Sequence, residues 1–330
     1  MHHQGNPATP MFAARGEKWM RYKIILNPES GSGSGAKAMA KIRRLFDEHE
    51  LDYELVCTEA PGHGMTLAEQ AADQGFDVVV AAGGDGTSNE VINGLMAAHS
   101  KGDTPAAMGV ICTGRGNDFA HGADIPIDIE EAVELLVSNQ RKRIDIGRVF
   151  GGDYPQGRYF GNCVGVGFDA VTTIEVSKLP RFGGFLSFLI AVLKTIFLFY
   201  KGPIVRISYD GEELSLPTLL VSVMNGQRLG DGFWMAPEAS MTDGIFDLCI
   251  AEQVSRRRIL TLLPHFMRGT QGTQPEITTI RGKQIMIEAV EGVLPAQTDG
   301  EILCIDGTKL SIELLPQRLE IISSTTSENT

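Results

Sequence analysis

Paired cysteines, clustered histidines and positive charge are all scarce in this chain of 330 residues. The five cysteines, Cys57, Cys112, Cys163, Cys249 and Cys304, are scattered and form no CxxC pair, a pattern of free thiols in a reducing cytosol. No two of the seven histidines stand at helical metal-ligand spacing and HExxH is absent, which removes the usual support for a zinc hydrolase. A formal charge of -12 excludes broad, sequence-blind binding to nucleic acid, because neutralising phosphates needs a basic surface. The longest apolar run, Phe185 to Tyr200, is interrupted by Lys194 and falls short of the roughly 20 residues of a membrane span. The first nineteen residues lack the apolar segment of a signal peptide, so residues 1–20 read as a disordered extension outside the fold.

What remains is a globular profile, 43% apolar and 21% charged, with a change of rhythm partway along. From Tyr22, YKIILN, DYELVCT, FDVVVAA and AAMGVICTG read as strands. AKAMAKIRRLFDEHE, MTLAEQAADQG, EVINGLMAAH and DIEEAVELLVSN, with Ile129, Val133, Leu136 and Val137 on its apolar stripe, read as the alternating helices. Such alternation implies a doubly wound parallel sheet with ligand sites at the strand ends. After RKRIDIGRVF, short apolar strands follow one another across Gly, Asp and Pro, which implies a mainly antiparallel β-sandwich or barrel-like body. The expected class is therefore α/β plus β. A nucleotide-binding domain is expected over residues 21–142, a β domain over 143–320 whose last strand can return to the first domain, and a tail over 321–330.

The segment VVVAAGGDGTSNEVINGLM, residues 78–96, carries the strongest local signal. Asp-Gly between apolar runs ordinarily marks a hairpin. Here the preceding run is too uniformly apolar for a half-exposed hairpin strand, and Val91, Ile92, Leu95 and Met96 fall on a helical stripe. Thr87 and Glu90 match a capping box. A strand, a glycine turn and a helix N-terminus present backbone N–H groups and a favourable dipole to an anion. Gly83, Gly84 and Gly86 allow close approach and positive φ, and Asp85 beside an anion makes sense where a divalent cation or an accepted proton offsets the repulsion, which points first to nucleoside triphosphate and magnesium. A second glycine-rich stretch, IILNPESGSGSGAKAMAKI, also joins a strand to a helix, although it lacks the Walker A order.

NPESG, GGDGTSNEVINGL, GRGNDFA, GNCVGVGFDA, MAPEASMTDGIFDL and TDGE, in this order and spacing, resemble the diacylglycerol kinase catalytic family, bacterial lipid kinases related to sphingosine kinases. The resemblance covers nearly all of residues 21–320. GGDGT alone also occurs in nicotinamide dinucleotide kinases, which the later motifs do not accompany. The resemblance implies an ATP- and Mg2+-dependent lipid kinase whose nucleotide-binding residues are Asn27, Pro28, Glu29, Ser30, Gly31, Thr58, Gly83, Gly84, Gly86, Thr87, Asn89, Glu90 and Asn117. It implies Glu301 as general base, with Asp85 and Asp299 as accompanying catalytic acids. It also implies a structural magnesium near Asp243, completed by backbone carbonyls around Ser240 and Ile245. One departure stands out: many relatives have Gly-Thr before the Asn-Asp pair, and this chain has Arg115 between Gly114 and Gly116.

The acceptor is suggested by residues 177–209, where Lys178, Arg181, Lys194, Lys201 and Arg206 surround the apolar run with no acidic residue in the central stretch. An apolar face rimmed by cations suits an interfacial helix on an anionic membrane, and a buried core helix fits the run equally well. VSRRRILTLLPHFMRG adds a second basic edge. The expectation is a cytoplasmic enzyme peripherally attached to the inner face of the membrane, acting on diacylglycerol or a related lipid, without a nucleic-acid partner. A soluble nucleotide kinase of the dinucleotide-kinase type and a lipid-binding pseudokinase are the alternatives. Nothing in the sequence decides between a monomer and a homodimer.

Overall fold

The computed structural model describes residues 20–102, 106–178, 184–198, 202–230 and 232–324. The expected extension over residues 1–19, the end of the expected tail, and Arg181, Phe199, Tyr200 and Lys201 of the basic apolar segment lie outside the described residues.

The chain begins with β1 (Arg21–Leu26), α1 (Ser30–Glu48), β2 (Asp52–Cys57), α2 (His63–Asp73), β3 (Val78–Gly83), α3 (Asp85–Lys101) and β4 (Ala107–Cys112). The four strands pair in parallel in the order β2, β1, β3, β4. β3 is buried at all six positions because both its faces are covered. Val79 and Ala81 join the core beneath α2 and α3, while Val78, Val80 and Ala82 join the core under α1 and the later helix α5 (Ile129–Ser138). Between β4 and α5 lies the short α4 (Asp118–Gly122). Asp128 caps α5 by accepting from the N–H groups of Glu130 and Glu131. Val137, placed on the apolar stripe from the sequence, is exposed, whereas Val133 and Leu136 are buried.

The boundary expected near residue 142 falls inside β5 (Arg141–Gly151), which runs through it unbroken. After it come β6 (Tyr154–Phe160), β7 (Cys163–Gly167), α6 (Phe168–Lys178), α7 (Gly184–Leu198), β8 (Ile204–Tyr209), β9 (Glu212–Met224), β10 (Arg228–Leu229), β11 (Phe233–Trp234), β12 (Phe246–Glu252), α8 (Arg256–Arg268), β13 (Ile277–Gly282), β14 (Gln284–Glu291), β15 (Leu294–Thr298), β16 (Glu301–Gly307) and β17 (Lys309–Ile322). All strand pairings after β4 are antiparallel except the meeting of β17 with β4 at Ile321 and Met108. β17 therefore joins the parallel sheet to the antiparallel one. Its pairing with β5 skips register between Leu315 and Leu319, and Asp145 braces the bulge by accepting from Gln317 N (2.7 Å) and, on its other oxygen, from Gly244 N (2.7 Å).

Three helices, α6 to α8, lie among these strands, and α7 falls on the apolar run for which a helix was expected. The buried positions of α6 include Asp169, Thr172 and Glu175, so no apolar stripe announces it. Glu175 is held ionised below the usual carboxylate range by Lys178 (2.7 Å) and by Lys194 of α7. Two cations expected to rim a membrane face are thus paired with a carboxylate, and Arg206 is paired with Glu213 (3.3 Å) and Glu288 (3.7 Å). Glu175 lies on α6 itself, just before residues 177–209, while Glu213 and Glu288 come from the neighbouring strands β9 and β14. The apolar part of the expectation has a clear counterpart. Leu186, Ile190, Leu193 and Phe197 form one exposed face of α7, and Leu260 and Met267 are exposed on α8. Among the described residues no helix is long and apolar enough to cross a membrane.

Candidate active site

The ends of β1, β3 and β4 meet in a cleft of about 530 Å³. Asn27 ends β1, donates its backbone N–H to Ala82 (2.9 Å) and its amide to the Thr87 hydroxyl (3.2 Å), and accepts from Glu29 N on its side-chain oxygen (3.0 Å). Ser30 shares a 2.6 Å hydrogen bond with Thr113 just after β4. Gly31, Ser32 and Gly33 are all left-handed (φ 56°, 60° and 88°), so the first turn of α1 is a loop pressed against β4. A Cβ on Gly31 would collide with the Thr113 carbonyl oxygen.

None of Gly83, Gly84 and Gly86 uses positive φ, contrary to the reading of the turn from sequence. Their value is space: Gly83 lies under the Thr87 side chain, Gly84 touches Gly114 backbone to backbone, and a Cβ on Gly86 would lie 3.4 Å from Glu301 Oε1. The capping box also fails. The helix starts at Asp85, and Glu90 instead accepts from Gly62 N (2.6 Å) and Gly64 N (2.8 Å), capping the start of α2. Of the residues expected to hold nucleotide, Asn27, Glu29, Ser30, Gly31, Thr58, Gly84, Gly86, Thr87 and Glu90 line the cleft, together with Glu301. Pro28, Gly83, Asn89 and Asn117 do not. Ser32, on the left-handed turn, Glu59, Ala60 and Pro61, on the loop between β2 and α2, and Gly114 and Arg115, brought in by the approach of Gly114 to Gly84, line it as well.

Glu301 opens β16 immediately after a two-residue hairpin turn, Asp299 and Gly300, both at positive φ (46° and 86°). The Asp-Gly of TDGE is therefore a turn, and the turn is what aims Glu301 at the first turn of α3. Asp299 points the other way. It is buried and accepts from Gly161 N (2.8 Å), Asn162 N (3.0 Å), Cys163 N (2.9 Å) and the Asn89 amide (2.9 Å), locking the β6–β7 turn to α3. Burial raises the Glu301 pKa, Glu90 and Asp299 push the same way, and Arg158, which donates to Asn89 at 2.7 Å, opposes them.

Asp85 also faces away from the cleft. Its Oδ1 accepts from Phe119 N (2.9 Å), supplying the cap that α4 lacks from Asn117, and its carboxyl is pushed up to about 7 by burial first and by the neighbouring Asp118 second. It is not among the residues that line the cleft. At the other expected metal position Asp243 is ion-paired with Arg281, accepts from Ile245 N (3.3 Å), and lies beside Ser240, whose hydroxyl faces Thr242 (3.1 Å). Among the described residues no three His, Cys, Asp or Glu side chains converge as a metal set. The single carboxylate of the expected magnesium position is thus engaged by Arg281 and by Ile245 N.

A second, apolar cavity opens between α6, α7, α8 and the sheet, lined by Phe188, Val192, Leu219, Leu220, Phe233, Leu262 and Phe266, with Asp169 at its edge. Burial raises the Asp169 pKa to about 6. Asp169 accepts from the Gln297 amide (3.2 Å), and the Gln297 oxygen accepts from Gly300 N (2.9 Å), one residue before Glu301. The cavity and the polar cleft are therefore joined through the same hairpin.

A parallel α/β unit with a glycine-lined cleft at its strand ends, facing a carboxylate delivered by an antiparallel sandwich, defines a nucleotide-using phosphotransferase. Comparison with known proteins makes this specific: residues 21–149 match the diacylglycerol kinase catalytic domain, and residues 162–323 match the YegS C-terminal NAD kinase beta sandwich-like domain. The chain is 30% identical to a diacylglycerol kinase of Bacillus subtilis (strain 168) over 85% of its own length and 89% of that protein. It is 31% identical to the protein named "Probable lipid kinase YegS-like" of Chromohalobacter salexigens, over 87% of each. A solved diacylglycerol kinase of Bacillus anthracis has the same fold, with a TM-score of 0.70 at 22% identity over 94% of this chain and 98% of that one. The chain belongs to the diacylglycerol kinase catalytic family and is a lipid kinase of that family.

Proposed function

We propose that the protein transfers the γ-phosphate of ATP to the hydroxyl of diacylglycerol or a related lipid. The observation that carries this reading is the position of Glu301 on a hairpin shared by a polar cleft and an apolar cavity. The cleft receives the nucleotide, whose magnesium arrives with the substrate, and the cavity between α6, α7 and α8 receives acyl chain. The exposed Leu186, Ile190, Leu193 and Phe197 face lies on the membrane surface from which the acceptor is drawn. Glu301 accepts the proton of the lipid hydroxyl as its oxygen attacks the γ-phosphorus, the bond to the β-phosphate oxygen breaks, and ADP leaves. Arg158 supports the ionised form of Glu301 that this step requires. Asp299 and Asp85 serve the reaction by fixing the backbone around it rather than by touching phosphate.

Transfer of label from γ-labelled ATP with magnesium into detergent-dispersed lipids, diacylglycerol foremost and with NAD as a soluble competitor, tests the reading. Label in a lipid phosphate supports it. Label confined to NADP moves the activity to a soluble acceptor, and absence of label with folded protein and the full lipid panel refutes the transferase reading in favour of a lipid-binding pseudokinase.

A further inference from the structure

The cleft that would receive a polyanion is lined by four carboxylates, Glu29, Glu59, Glu90 and Glu301, and among its described lining residues the single Lys or Arg is Arg115. An ATP phosphate chain entering an acid-rich, half-enclosed site is repelled unless a cation meets it. The backbone donors expected to share this work are partly committed: Glu90 caps the first N–H groups of α2, and the left-handed run Gly31 to Gly33 breaks the helical N-terminus of α1.

Arg115 is placed to supply that charge. It sits between two glycines on a turn whose Gly114 backbone packs on Gly84, at the entrance to α3, and it is half-buried at the cleft wall. Its guanidinium donates to the hydroxyl of Ser32, a residue with a side chain held at φ 60° on the α1 turn that packs directly against Thr113. A guanidinium offers five N–H donors in a planar fork suited to phosphate oxygens, so the single neutral hydroxyl of Ser32 is a weaker partner than a phosphate. We propose that Arg115 is the phosphate-recognising residue of this cleft, exchanging its hydrogen bond to the neighbouring Ser32 for the β- and γ-phosphates when nucleotide binds. The proposal rests on the reading of the cleft as an ATP site and assigns the discrimination between nucleotides of different phosphate number to one side chain.

Calorimetric titration of the full chain with adenosine, AMP, ADP and ATP at fixed magnesium, repeated for Arg115→Gln and Arg115→Lys, tests it. Wild type is expected to bind more tightly with each added phosphate. Arg115→Gln is expected to lose about tenfold or more for ATP, to bind adenosine as wild type does, and so to flatten the gradient, with Arg115→Lys recovering part of it. The KM for ATP should move in parallel. A loss equal for adenosine and ATP would indicate a role confined to loop structure and overturn the proposal, as would ATP binding by Arg115→Gln within twofold of wild type. Wild-type protein that binds no nucleotide at all would overturn the ATP reading itself, an outcome distinct from the other two.

Discussion

Asp85→Asn isolates the most perturbed carboxyl of the site. In the fold Asp85 is half-buried with its carboxyl turned toward α4, its Oδ1 accepts from Phe119 N, and a Cβ placed on Gly116 would lie 3.0 Å from its Oδ2 and 3.3 Å from Asp118 Oδ2, so the two carboxyls crowd one spot. Its pKa of about 7 against an ordinary 3.8 means that the folded protein binds this proton more tightly than the unfolded chain. Stability from this group is therefore fully present below the unfolded pKa and is lost as pH rises from about 4 to about 7, with no further loss above. At ~1.4 kcal/mol per pH unit the full loss is of order 4 kcal/mol, an upper bound for a group so close to a second carboxyl. Asparagine keeps the acceptor for Phe119 N and offers an amide to Asp118 in place of a second negative charge. Asp85→Asn should thus match wild type near pH 4 and exceed it by up to about 4 kcal/mol at pH 8. Urea unfolding at half-unit steps between pH 4 and 8, read as the difference between the two proteins, measures this. Parallel curves across the range would show that Asp85 is ionised in the fold and would refute the buried-proton account.

Three further outcomes follow from the site. Glu301→Gln should lower turnover by about 10²- to 10⁴-fold while leaving ATP binding by calorimetry intact, and wild-type kcat/KM should fall on the acid side along a limb lying above the ordinary carboxylate range, since burial raises this group. Asp299→Ala strands three backbone N–H groups and the Asn89 amide in a buried position, so it should cost on the order of 4 kcal/mol in chemical denaturation, far more than loss of an exposed acid. Val192→Phe places bulk in the apolar cavity and should raise the KM for a long-chain acceptor by about tenfold or more, with the KM for ATP unchanged. Equal effects on both substrates would argue for general disruption instead.

Much of the first half was determined by local pattern alone. The wholly apolar VVVAA run could only be a strand covered on both faces, and its burial at every position bears this out. The strand, glycine turn and helix at residues 78–96 were equally legible, because hydrophobic period changes sharply at Gly84. What glycine was for was not legible: the sequence suggests positive φ, whereas contact between Gly84 and Gly114, thirty residues apart, decides the matter by space. Glu90 matches a capping box on its own helix, yet its carboxylate serves α2, since a side chain satisfies whichever free N–H groups the packing brings nearest.

The same division runs through the second half. TDGE identifies both a hairpin turn and an acid, but only the tertiary pairing of β15 with β7 turns Asp299 inward to four donors and Glu301 outward to the cleft. Helix α6 was hidden because its buried face carries Asp169, Thr172 and Glu175, whose charge or polarity is satisfied by Gln297, by a main-chain carbonyl and by lysines. Local periodicity determines which elements form, since it reports only neighbours a turn or a strand away. Which carboxylates face solvent, substrate or each other is decided by contacts between residues far apart in sequence, and those exist only once the sheet has closed through β17.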